Sequence, residues 1–237
     1  MSTDVWGERI ELAKKNPETL DNVIYQLVKG NNIIISDVLS QETPLEYLKM
    51  IFLKLTENEI AELISNAESD MYKGRIAFMA ADLYSDHDNF SQACNVWINT
   101  AEAMFKKCLN ENENDTIALT YLGNVYYLKK DFDEAISYYS QTLILNKQNI
   151  DVFNKLGCAF LSRGKFYNND NDDSFKAIKC YEDALKLDPS NILVWKNLKT
   201  AYLSRGSFCY ATHCGINIKL LELKAIGDKV KQSIGLK

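Results

Sequence analysis

Between residues 116 and 204 the large apolar residues fall at helical intervals, and the same face recurs. Leu119, Leu122 and Tyr126 lie three and four residues apart, which is one side of a helix. Phe153, Leu156 and Phe160 repeat that side, and Trp195, Leu198 and Tyr202 repeat it again. The residue after the central leucine is Gly123, then Gly157, then Lys199. A second apolar set follows each of the first two: Ala135, Tyr139 and Thr142, then Ala177, Tyr181 and Ala184. Small residues stand where two antiparallel helices must approach, and tyrosines where successive units meet. Polar runs punctuate the pattern. "KKDF" and "SRGKF" predict turns, Asp115, Asp131 and Asn191 predict N-caps, and Pro189 in "LDPSN" closes a unit. Self-similar units of this kind stack and share one apolar core, so the chain is predicted to be all-α. Trp195 holds the first large position of its unit and is expected to be buried between helices.

These offsets resemble the tetratricopeptide repeat, a helix–turn–helix unit of about 34 residues. "DFDEAISYY" and "ALKLDPSN" are close to that family's own wording. The resemblance is clear over about 116–210, weaker over 74–107 and absent over 1–70. It implies a right-handed α-solenoid with a helical N-terminal capping region. The expected organisation is a non-repeat helical region at 1–70 and a degenerate repeat with an extended second helix at 74–107. Regular repeats follow at 116–149 and at 150–191, the latter with an Asn/Asp-rich insertion. The last repeat and a C-terminal capping helix take 192–237. In the degenerate unit Ala80, Ala81, Tyr84, Ala93, Trp97 and Thr100 hold the repeat offsets. Upstream, Pro17 and Pro44 open helical patterns, and Thr56 with Glu59 forms a capping-box pattern.

The insertion "GKFYNNDNDDSFKAI" makes Gly157 to Ala177 longer by about eight residues than the regular period allows. It reads as a solvated loop or as small extensions of the two helices, with weak adventitious cation binding as the alternative. An EF-hand needs a glycine at position six and a glutamate at position twelve. Counting from Asn168 these are Asp173 and Lys179, and counting from Asp170 the twelfth is Tyr181, so neither frame works. Removing residues 168–173 is expected to leave the fold intact.

Composition narrows the function. The 237 residues are 46% hydrophobic and 25% charged with a net charge of -5, and no basic stripe appears, which argues against nucleic acid. No apolar run reaches the length of a membrane span, and the N-terminus lacks the pattern of a signal peptide. The six cysteines lie inside helical patterns and are read as reduced thiols of an intracellular, cytoplasmic protein. No cofactor, metal site or catalytic residue is expected. His87 sits in a polar turn. "CYATHC" places Cys209 and His213 on one helix face beside Cys214, yet no second ligand pair accompanies them. No phosphate-binding glycine loop or G-x-S-x-G elbow occurs, so the chain is read as not an enzyme.

The resemblance implies a concave face lined by the first helices of successive repeats. Its candidate partner-binding residues are Thr120, Asn124 and Tyr127, then Asn154 and Lys155, then Lys196 and Asn197. Asparagine amides both donate and accept, which suits an extended peptide backbone, and the lysines would favour acidic peptides. The expected partner is therefore another protein or peptide, bound by an adaptor or assembly subunit. The alternatives are a peptide-binding co-chaperone and a small enzyme using Cys209, His213 and Cys214. The carboxylate clamp found in one subclass of the family is not expected. Of its pattern only Asn124 is present, while Thr120, Lys155, Leu193 and Asn197 occupy the other positions.

Overall fold

A computed structural model describes residues 50–85, 92–167 and 170–233, and the chain divides into two compact units, 1–129 and 130–237. The helical pattern opened by Pro17, the start of the one opened by Pro44, and the turn holding His87 lie outside the described residues; the end of the Pro44 pattern is helical at 50–52 and buries Ile51, Phe52 and Leu55.

The first unit holds α1 (Glu57–Asn66), α2 (Asp70–Ser85), α3 (Gln92–Glu111) and α4 (Thr116–Leu128). The start of α1 is fixed by its capping box. Glu59 N–H donates to Thr56 Oγ1 at 3.3 Å, and Thr56 N–H donates back to Glu59 Oε2 at 2.8 Å. Its apolar face buries Ile60 and Leu63. α2 and α3 pack so closely that a β-carbon on Gly74 would lie 2.8 Å from the Phe105 ring. Tyr121 of α4 stacks on Phe105 with centroids 4.9 Å apart, and the buried Arg75 guanidinium lies 5.6 Å from the Tyr121 ring. Asp115 caps α4 by accepting from Ile117 N–H and Ala118 N–H.

The second unit holds α5 (Phe132–Leu145), α6 (Ile150–Tyr167), α7 (Asp170–Leu187), α8 (Ile192–Ser204) and α9 (Phe208–Ser233). Tyr181, Ala184, Val194, Leu198, Ala201 and Cys214 form its central buried cluster. Gly157 is required at the α6–α7 crossing, where a β-carbon would lie 2.5 Å from the Tyr181 ring. Every described element is helical, and none of these helices is long and apolar enough to cross a membrane.

Four expectations change. Of the two readings of the insertion, the helix extension rather than the solvated loop holds over its described part, 170–173. The insertion lengthens the helices, since α6 and α7 have 18 residues each against 13 in α4 and 14 in α5. Asp173 is buried rather than solvated. "SRGKF" at 162–166 is not a turn but the last stretch of α6. Trp195 is half-buried, because its indole N–H reaches the Pro189 carbonyl at 2.8 Å and holds one ring edge at the surface. Finally, the last repeat helix and the expected capping helix are one helix of 26 residues, α9, which carries Gly215 in its interior.

Candidate interaction surfaces

On α6 and α8 a short polar ladder joins two first helices of successive repeats. Asn197 Nδ2 donates to Asn154 Oδ1 at 2.8 Å and lies 3.7 Å from Cys158 Sγ, which also accepts from the Tyr181 hydroxyl at 3.4 Å. Asn154 is buried and Asn197 half-buried, so the two amides are held by packing as well as by their hydrogen bond. Burial pushes the Cys158 thiol above its ordinary range, which suits an acceptor rather than a nucleophile.

The two lysines of this surface are unequal. Lys155 pairs with Asp151 on its own helix at 2.5 Å. Lys196 is 58% exposed and 4.0 Å from Glu222. Of the two, Lys155 is the more closely compensated by its carboxylate partner. In the first unit, Thr120, Asn124 and Tyr127 are half-buried along α4, and the Thr120 hydroxyl donates to its own helix at the Thr116 carbonyl, 2.7 Å away. The seven candidate residues are thus divided, with three in the first unit and Asn154, Lys155, Lys196 and Asn197 in the second.

The Cys/His group does not assemble. His213 Nε2 lies 3.1 Å from Asn217 Nδ2, Cys209 is exposed, and Cys214 is buried with its thiol pushed up by burial. Among the described residues no group of three or more His, Cys, Asp or Glu is placed to hold a metal ion.

Two features escaped the sequence. The first is the answer to the Asn/Asp run. Arg163 donates to Asp173 from Nε at 2.9 Å and from Nη2 at 2.6 Å, while its Nη1 donates to Asp133 at 2.7 Å. The cation that this run holds is an arginine of its own repeat. The hydrogen bonds to Asp173 and Asp133 in turn make Arg163 hold its proton even more firmly than an arginine ordinarily does.

The second feature is a cluster on Tyr126. Its hydroxyl donates to Glu102 Oε1 at 2.7 Å, Lys106 Nζ donates to the same carboxylate at 2.6 Å, and Lys129 Nζ pairs with its other oxygen. Both ammonium groups lie over the Tyr126 ring, at 5.7 and 5.9 Å. Burial alone would raise the Glu102 pKa, but the donors from Lys106, Lys129 and Tyr126 outweigh it and bring the value down to about 2. The spacing that builds this cluster was present in the sequence, but nothing local fixed which way the lysines turn.

The sequence matches the tetratricopeptide repeat at 116–149 and again at 159–191. The second match starts inside α6, since a repeat counted back from residue 191 is shorter than the lengthened helix pair. No curated protein matches the sequence. Solved structures share the fold. The crystal structure of MamA aligns with a TM-score of 0.53 at 19% identity, covering 76% of this chain and 94% of that one. A second structure, MamA from residue 41 to its end from Desulfovibrio magneticus RS-1, gives 0.53 at 16% identity, covering 84% and 96%. At such identities the likeness is one of fold. The chain thus carries two tetratricopeptide repeats, at 116–149 and 159–191, on helices of the matching architecture.

Proposed function

We propose that the chain is a protein-interaction subunit, an adaptor or assembly component without catalysis, that binds a partner peptide or helix on its first repeat helices. The Asn154–Asn197 hydrogen bond carries this reading. It fixes two amides of successive helices, and the half-buried Asn197 presents the edge of this pair to a partner's backbone. Groups ordered before binding lose little entropy when it occurs. Lys196 adds an exposed charge beside them. Thr120, Asn124 and Tyr127 on α4 are proposed as a second contact region, treated separately because they belong to the other unit. The six free cysteines fit a reducing compartment.

The test is affinity capture from the native cell with the wild type and with Lys196→Ala/Asn197→Ala. Loss of a hydrogen bond to a charged or buried group costs about 1–3 kcal/mol. The double variant should therefore retain its partners at least several-fold more weakly, and Lys196→Ala alone, which leaves the bond to buried Asn154 intact, should weaken capture while its melting temperature moves little. Equal capture by the wild type and the double variant would remove these residues from the site.

A further inference from the structure

Two repeats build the same cluster and fill it differently. Tyr202 of α8 donates to Glu182 of α7 at 3.0 Å, as Tyr126 of α4 does to Glu102 of α3. The positions that supply ammonium groups to Tyr126 lie four residues after the glutamate and three after the tyrosine. Around Glu182 and Tyr202 both are again basic, Lys186 and Arg205. Neither takes up the place. Asp183, where the first cluster has Ala103, draws Lys186 to itself at 2.6 Å, and Arg205 lies over Phe175 at 5.6 Å. Among the described residues Glu182 has no ion-pair partner within salt-bridge distance. Beside it opens a pocket of about 330 Å³, walled by Trp195, Tyr202 and Tyr210 over Leu185 and Leu198. Tyr202 and Tyr210 are stacked with centroids 5.1 Å apart.

We propose that this pocket receives the lysine side chain of a partner protein. The molecule itself shows what such a site holds, because its filled counterpart contains two lysine ammonium groups against a tyrosine face and a carboxylate. An ammonium entering here meets the Glu182 carboxylate and the negative faces of the tyrosine rings. Its four-carbon stem lies along Trp195 and Leu198, as lysine stems do on apolar surface. A carboxylate would be repelled by Glu182. Lys186 at the rim does not oppose entry strongly, since Asp183 offsets its charge. The inference rests on the reading that the partner is a protein. It uses none of the residues of the Asn154–Asn197 surface, because 195, 198 and 202 lie on a different face of α8 from 196 and 197.

The experiment uses the isotope-labelled full chain and follows the Trp195 indole N–H. Three probes are titrated: the tripeptide acetyl-Gly-Lys-Gly-amide, the same peptide with norleucine for lysine, and tetramethylammonium. The lysine peptide should shift the signal saturably, weaken as salt is raised, and bind at least fivefold more tightly than the norleucine peptide. Glu182→Gln, a change on an exposed residue, should reduce lysine-peptide binding to the norleucine level with an unchanged thermal melt. Equal binding of the two peptides would show an apolar pocket and overturn the proposal. So would no response to either, or a response to tetramethylammonium alone, which would mark a small-ligand site. Because these probes do not touch Lys196 or Asn197, failure here is distinct from failure of the capture experiment.

Discussion

Asp173 grips Arg163 through both carboxylate oxygens from a position that is 3% exposed, ten residues along the chain and across the α6–α7 pair. Removing one member of a buried pair leaves the other charge poorly compensated, so Asp173→Ala should destabilise the second unit by about 2–4 kcal/mol. The neighbouring Asp172 is exposed and pairs with Lys176 within one turn, so Asp172→Ala should change stability by no more than about 0.5 kcal/mol. Urea unfolding of the two variants separates these outcomes. Deletion of 168–173 removes Asp173 and should be destabilising, contrary to the tolerance expected of a loop.

Gly157→Ala sets a β-carbon 2.5 Å from the buried Tyr181 ring. Overpacking costs about 1–3 kcal/mol, against a helix-propensity gain of about 1 kcal/mol. The single variant should be less stable than the wild type. In a Tyr181→Leu background the same change should cost less, because the ring that it strikes is gone. A thermal-melt double-mutant cycle reads the difference.

Trp195→Ala should cost about 2 kcal/mol rather than the roughly 3–5 kcal/mol of a fully buried indole, since part of the residue already meets solvent. Trp195→Phe, which loses the bond to the Pro189 carbonyl but keeps an aromatic wall, should cost about 1 kcal/mol. Chemical denaturation of both checks the order.

Acid should weaken the first unit through Glu102. Its folded pKa, about 2, lies below the ordinary carboxylate value of 4.5. The stabilisation is therefore fully present above about pH 4.5 and is lost as pH falls toward 2. Glu102→Gln should lower the melting temperature at neutral pH and flatten its fall between pH 5 and pH 3 relative to the wild type. If both proteins lose the same number of degrees over that range, the Glu102 cluster does not couple to folding.

The sequence by itself determined the repeat helices and their facing residues. Those features depend on spacing within one helix: Leu119, Leu122 and Tyr126 share a side wherever the helix is placed. Caps were legible for the same reason, because Thr56 with Glu59 and Asp115 with Ile117 act within one turn. What spacing could not decide was the choice among alternative partners. Ser-Arg-Gly occurs at 162–164 and at 204–206. At 204–206 it ends α8, with Gly206 at φ 70 and its N–H and that of Ser207 reaching back to the Leu203 and Tyr202 carbonyls. At 162–164 the same three residues continue α6, where Arg163 meets Asp133 and Asp173 from two other helices. In the same way, Lys106 turns to Glu102 and Lys186 away from Glu182, although both stand four residues on from their glutamate. A helix register is a local property of the backbone. The direction of a long charged side chain follows the nearest carboxylate in space, and only the packed structure supplies that.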